Sequence, residues 1–138
     1  MLTLVLGGAA SGKSAYAEHL AVQSGGPRYY LATMQVWDEE CAKRVEKHRA
    51  MRKEKQFETI ESPISLDKIR MPNRGIVLLE DLGNLTANEL YDPAGAKEET
   101  VKAVLDGIRN VATRLQSGDI FFCDCCTDCI REFGMYRW

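Results

Sequence analysis

The chain has 138 residues, 45% of them hydrophobic and 28% charged, a composition that fits one globular domain and excludes a disordered segment. Its net charge of −2 gives no electrostatic case for nucleic acid or an anionic membrane as partner. No apolar stretch reaches the length of a membrane span, and no basic region with a long apolar run opens the chain, so a cytoplasmic protein without signal peptide is expected.

Leu2 to Leu6 is nearly continuous apolar sequence, which suits a parallel strand covered on both faces. Directly after it stands Gly7-Gly8-Ala9-Ala10-Ser11-Gly12-Lys13-Ser14, a complete match to the phosphate-loop pattern G-x-x-x-x-G-K-[ST]. The glycines allow a turn tight enough for backbone N–H groups to surround phosphate oxygens. Lys13 supplies a cation for the terminal phosphates, and the Ser14 hydroxyl is placed to ligate Mg²⁺. Ser14 to Gln23 has helical spacing, with Ala15, Leu20 and Val22 as its apolar positions, and Gly25-Gly26-Pro27 ends it. The helix dipole behind the loop adds to its preference for an anion. A chain with these features binds a nucleoside triphosphate.

Arg28 to Ala32 reads as the second strand, with Thr33-Met34-Gln35 as the loop at its carboxyl end. Asp38 is a cap for a helix running to about Arg52, acidic in its first turn at Glu39 and Glu40 and basic near its end. Arg44, His48 and Arg52 are four residues apart and share one face of that helix. Neutral imidazole is a nucleophile and arginines suit a triphosphate, yet the same spacing describes a solvated basic helix with one histidine on it. Gly75 to Leu79 is a further buried strand ending in Glu80-Asp81, where P-loop proteins hold Mg²⁺ or its waters; a cap for the next helix is the alternative use of such a carboxylate. A helix from about Lys97 to Gln116 carries Val101, Val104, Leu105, Ile108, Val111 and Leu115 as one stripe, and Asp119 to Phe122 begins another strand. Strands alternating with helices predict an α/β, P-loop NTPase-like (RecA-like) fold: a mostly parallel sheet flanked by helices, in one domain over residues 1–138.

Taken together, these segments resemble the bifunctional adenosylcobinamide kinase/adenosylcobinamide-phosphate guanylyltransferases of cobalamin biosynthesis. The residues that carry the likeness are Leu4 to Ser14, Tyr30-Leu31-Ala32-Thr33-Met34-Gln35, Asp38-Glu39-Glu40, Arg44 to Arg49, Thr59 to Glu61 and Val77 to Glu80, in family order to about residue 120. The phosphate loop is shared by many families. The Ala-Thr-x-Gln after the second strand, with Arg-x3-His downstream, is more specific. The resemblance implies phosphorylation of the adenosylcobinamide hydroxyl by ATP or GTP, then transfer of GMP from GTP to the product. It makes His48 the residue that carries GMP. It assigns nucleotide contacts to Gly7 to Ser14, to Ala32, Thr33 and Met34, to Arg49, Ala50, Met51 and Arg52, and to Glu61 and Glu80. Ser14 and Glu80 would hold Mg²⁺. The partners implied are adenosylcobinamide, its phosphate and the nucleotides, and a homo-oligomer is compatible with the sequence. A small-molecule P-loop kinase without a covalent step, or a nucleotide-binding remnant, are the alternative functions.

After Phe122 the likeness stops. Cys123, Cys125, Cys126 and Cys129 crowd into a tail that family members do not have, where the last strands of the sheet would be expected. A shifted reading frame or truncated gene is the expectation for residues 123–138, ahead of a zinc site, because four thiols within seven residues are unlike two separated ligand pairs.

Overall fold

The computed structural model describes residues 2–8, 11–36, 38–115 and 120–124. Five strands of equal length form, four of them at the runs read from sequence and one, β3, that was not: β1 (Leu2–Leu6), β2 (Arg28–Ala32), β3 (Phe57–Glu61), β4 (Ile76–Glu80) and β5 (Ile120–Asp124). Between them lie α1 (Lys13–Ser24), α2 (Glu39–Glu54), α3 (Leu82–Tyr91) and α4 (Thr100–Leu115), with short 3₁₀ turns at Leu66–Lys68 and Lys97–Glu99. The strand order is β1-β5-β4-β2-β3, and every neighbouring pair is parallel. This is the P-loop NTPase-like α/β architecture expected from the sequence. Parallel strands place all carboxyl ends on one edge, so the loops after Leu6, Ala32, Glu61 and Glu80 gather there. Open α/β sheets bind ligands at that edge.

Period-two alternation divides the two central strands between two cores. Tyr29, Leu31, Val77 and Leu79 face one layer with Leu66, Leu85, Val104 and Val111 from the turn, α3 and α4. Tyr30, Ile76 and Leu78 face the other with Val5, Phe57, Ala17 and Ala21. Both faces being covered explains why β2 and β4 lack polar alternation.

The apolar faces of two helices differ from the sequence expectation. In α1 the buried residues are Ala17 and Ala21 together with Lys13 at its start, whereas Ala15 and Val22 are exposed. The helix lies directly on β4 and β5, and only small side chains fit so close an approach. In α4 the stripe narrows to Val104, Ile108 and Val111, with Val101 and Leu105 about half exposed. The helix itself begins at Thr100, after a separate 3₁₀ turn at Lys97–Glu99. The side chain of Leu115 and the tail from Cys125 lie outside the described residues, and with them the reading of the cysteine cluster; Cys123 is placed in β5 by its backbone.

α2 is held in an unusual way. Asp38 caps it, accepting from the Cys41 N–H at 2.6 Å as the sequence predicted. Yet the helix has no apolar stripe, and Arg52 is its one fully buried residue. A helix so polar must be fixed by specific contacts rather than by a hydrophobic face. Several lie near its end: Arg52 stacks on Tyr30, Arg49 pairs with Glu61, Lys55 pairs with Glu18, and Arg28 donates to the Lys55 carbonyl at 2.6 Å.

Candidate active site

The loop after β1 has the geometry that its sequence demands. Gly12 sits at φ +82°, a conformation that side-chain-bearing residues rarely adopt, and it leads directly into α1. A Cβ on Gly7 would lie 2.5 Å from the Ser11 hydroxyl, which would have to turn aside to admit it. Lys13 is buried, and its ammonium donates to the Gly8 carbonyl at 2.6 Å. The cation is thereby folded over the loop it serves. Ala9 and Ala10 lie outside the described residues.

β5 separates β1 from β4, but α1 crosses over the sheet and carries Ser14 to the carboxyl end of β4. There the Ser14 hydroxyl donates to Glu80 Oε1 at 2.6 Å. The other carboxylate oxygen, Oε2, accepts from the Tyr30 hydroxyl. Burial first, and then the neighbouring carboxylate, push the Tyr30 phenol far above its ordinary range, with Arg52 opposing. Tyr30 is therefore a permanent donor. Its ring lies under Arg52, whose guanidinium carbon is 3.5 Å from the ring centroid. The Nε of Arg52 is buried without a hydrogen-bond partner among the described residues.

Asp81, the other carboxylate of the pair, has a different task. It caps α3 by accepting from the Asn84 N–H, and it also contacts the Asn84 amide at 3.3 Å. Thr33 is fully buried, with its hydroxyl 2.9 Å from the Asp81 N–H and 3.1 and 3.0 Å from the Glu80 and Asp81 carbonyls. Its side chain braces the bend between the two carboxylates rather than lining a cavity. Asn88 ties the loops after β2 and β3 together by donating to the carbonyls of Thr33 and Pro63 at 2.7 and 2.9 Å.

These loops and α2 enclose a cleft of about 540 Å³. Of the residues singled out by sequence, Ala32, Met34, Arg44, His48, Arg52, Glu61 and Glu80 line it. His48 is exposed on its α2 wall, one turn before the buried Arg52. Arg49 pairs with Glu61 on the rim, both side chains more than half in solvent or close to it at 50% and 62%. Ala50 and Met51 are exposed and do not border the cleft. The phosphate loop borders a neighbouring groove along β1, and its last residue, Ser14, is hydrogen-bonded to Glu80 of the cleft. Sequence reasoning quoted Tyr30 and Gln35 in the family-like segment without giving either a role, and did not single out Asn84. Tyr30 in particular had no signal for its role, since its contact with a carboxylate 50 positions away exists only in the fold.

A glycine loop wrapped around a lysine, with a serine and a strand-end carboxylate converging beyond it, defines a P-loop nucleotide-binding protein. The sequence profile described as Cobinamide kinase / cobinamide phosphate guanyltransferase matches residues 3–125, and the chain belongs to that family. It is 41% identical over 102 residues to the Bifunctional adenosylcobalamin biosynthesis protein CobU of Escherichia coli strain K12, covering 71% of this chain and 55% of that protein. It is 47% identical over 66 residues to the Bifunctional adenosylcobalamin biosynthesis protein CobP of Pseudomonas aeruginosa, covering 48% of this chain and 38% of that one. The chain thus spans about half the length, or less, of these relatives.

Proposed function

We propose that the chain carries out both reactions of its family: it phosphorylates adenosylcobinamide with ATP or GTP and then transfers GMP from GTP to adenosylcobinamide phosphate. The observation that carries this reading is the position of His48, on a cleft wall between Arg44 and Arg52 and opposite Glu80, which is bonded to the phosphate-loop serine. In a P-loop kinase without a covalent step this histidine would merely border the pocket.

In the nucleotidyl step a ring nitrogen of His48 attacks the α-phosphorus of GTP. A P–N bond forms, the α–β P–O bond breaks, and pyrophosphate leaves. A phosphate oxygen of the cobinamide substrate then attacks the same phosphorus, forming P–O and breaking P–N, which returns the imidazole. Two easier displacements replace one hard one. Arg52 and Arg44 offer donors to the phosphates, and Lys13 with the loop N–H groups does so in the kinase step.

The oxygen set at Ser14 and Glu80 suits Mg²⁺, which nucleotide sites hold through one or two protein oxygens together with phosphates. When bound it would neutralise charge on the triphosphate. Among the described residues no helix is long and apolar enough to cross a membrane, and a cytoplasmic location goes with soluble substrates. The test is incubation with α-labelled GTP. Acid-labile label on the protein is the expected result; nucleotide binding with kinase turnover but no label would favour the simple kinase.

A further inference from the structure

We infer that Tyr30 is a positioning residue with two jobs: its hydroxyl sets the Glu80 carboxylate for the phosphate loop, while its ring seats the Arg52 guanidinium beside His48. One side chain thereby links the two halves of the cleft. The inference rests on the reading of the site given above and adds a residue to it.

Tyr30 lies at the middle of β2, paired with Leu78 on one side and Thr59 on the other. Only 4% of it is exposed, and its ring meets Phe57 edge-on at 6.5 Å. A phenol buried this far needs a partner for its hydroxyl. It has one in Glu80 Oε2, leaving Oε1 to Ser14. The carboxylate is thus approached from both sides, and its rotamer is fixed before any nucleotide arrives. Such preorganisation is what an ion-holding carboxylate requires.

The ring does the second job. Arg52 is 5% exposed, the one buried residue of a helix without an apolar stripe, and its guanidinium carbon lies 3.5 Å over the centre of the Tyr30 ring. Stacking uses the face of a guanidinium and leaves its in-plane N–H groups for an anion. Arg52 Nε is itself buried without a partner among the described residues, so the terminal N–H groups of the guanidinium are the donors that would meet an anion in the cleft. Because the Arg52 stack is one of the contacts that dock the end of α2, the ring helps to set where His48 stands, one turn earlier.

Two substitutions separate the jobs. Tyr30→Phe removes the hydroxyl and keeps the ring; Tyr30→Leu removes both. GTP affinity is measured by calorimetry with Mg²⁺ and with EDTA, and labelling of His48 by intact mass at saturating nucleotide. In Tyr30→Phe the affinity in Mg²⁺ should fall about tenfold, the loss expected for a hydrogen bond to a charged group, and several-fold more than in EDTA. Its effect on the rate of labelling should be the smaller one. In Tyr30→Leu the labelling rate should fall about tenfold as well, because Arg52 has lost its seat. Thermal melts show which variants remain folded, and if Tyr30→Leu does not, Tyr30→Phe alone decides. Equal losses with Mg²⁺ and EDTA in that variant would mean a merely structural role and overturn the inference, as would no loss at all. An unchanged chain that neither binds GTP nor labels would overturn the reading of the site, and this inference with it.

Discussion

Replacing Arg52 by methionine separates what this residue does for the fold from what it does for the chemistry. In the fold, the guanidinium over Tyr30 at 3.5 Å is a cation–π contact worth about 0.5–2 kcal/mol. Against it stands the cost of burying Nε without a partner, about 1–3 kcal/mol. Methionine keeps most of the buried stem, and its sulfur can rest on the same ring for about 0.3–1.5 kcal/mol. Two of these three terms favour methionine, and at mid-range they leave the variant more stable by about 1–2 kcal/mol, a rise of roughly 3–7 °C in melting temperature. In the chemistry nothing offsets the loss. A guanidinium–phosphate contact contributes about 1.5–3 kcal/mol, so the rate of His48 labelling should fall about 10- to 100-fold. The assays are a thermal melt and intact mass against time after addition of GTP and Mg²⁺. Labelling at the unchanged rate would refute the phosphate role of Arg52. A loss of stability would refute the balance of packing terms.

Lys13→Ala should remove most triphosphate affinity and the kinase step, since no other side chain of the loop supplies a cation; calorimetry showing tight GTP binding in this variant would contradict the loop assignment. Glu80→Gln should lower both reactions with little change in stability, while Asp81→Ala should cost about 1–2 kcal/mol of stability through the lost cap of α3. The opposite pattern in melts and turnover would exchange the roles of the two carboxylates. Thr33→Val keeps the shape and removes a fully buried hydroxyl from the Glu80–Asp81 bend. It should cost about 1–3 kcal/mol, and an unchanged urea midpoint would show that the brace is idle.

The legible parts of the fold were those written in local pattern. β1, β2 and β4 are apolar runs closed by glycine, proline or acidic residues, and α2 announces its start through Asp38. Phe57–Glu61 was harder to read, because Phe57-Glu58-Thr59-Ile60-Glu61 is short and only partly alternating, and as an edge strand it buries fully Phe57 alone. The buried face of α1 was hidden for another reason. Alanines at 17 and 21 carry little hydrophobic signal, though close packing on the sheet makes them the buried ones. At the site, the loop, His48 and Glu80 could be found by motif and spacing. The Tyr30–Arg52 stack could not, since an arginine in a basic helix looks solvated until a ring from another strand is brought under it.

The most direct measurement is the intact mass of the chain after incubation with GTP and Mg²⁺, compared with that of His48→Asn. Asparagine keeps a polar side chain of similar reach on α2 but has no nucleophilic nitrogen. The unchanged chain should gain the mass of one guanylyl group (GMP less water) that acid removes, and His48→Asn should gain none while retaining GTP binding at the phosphate loop. A GMP adduct on His48→Asn would place the covalent step on another residue, and GTP bound by the unchanged chain without any adduct would contradict guanylyl transfer through His48.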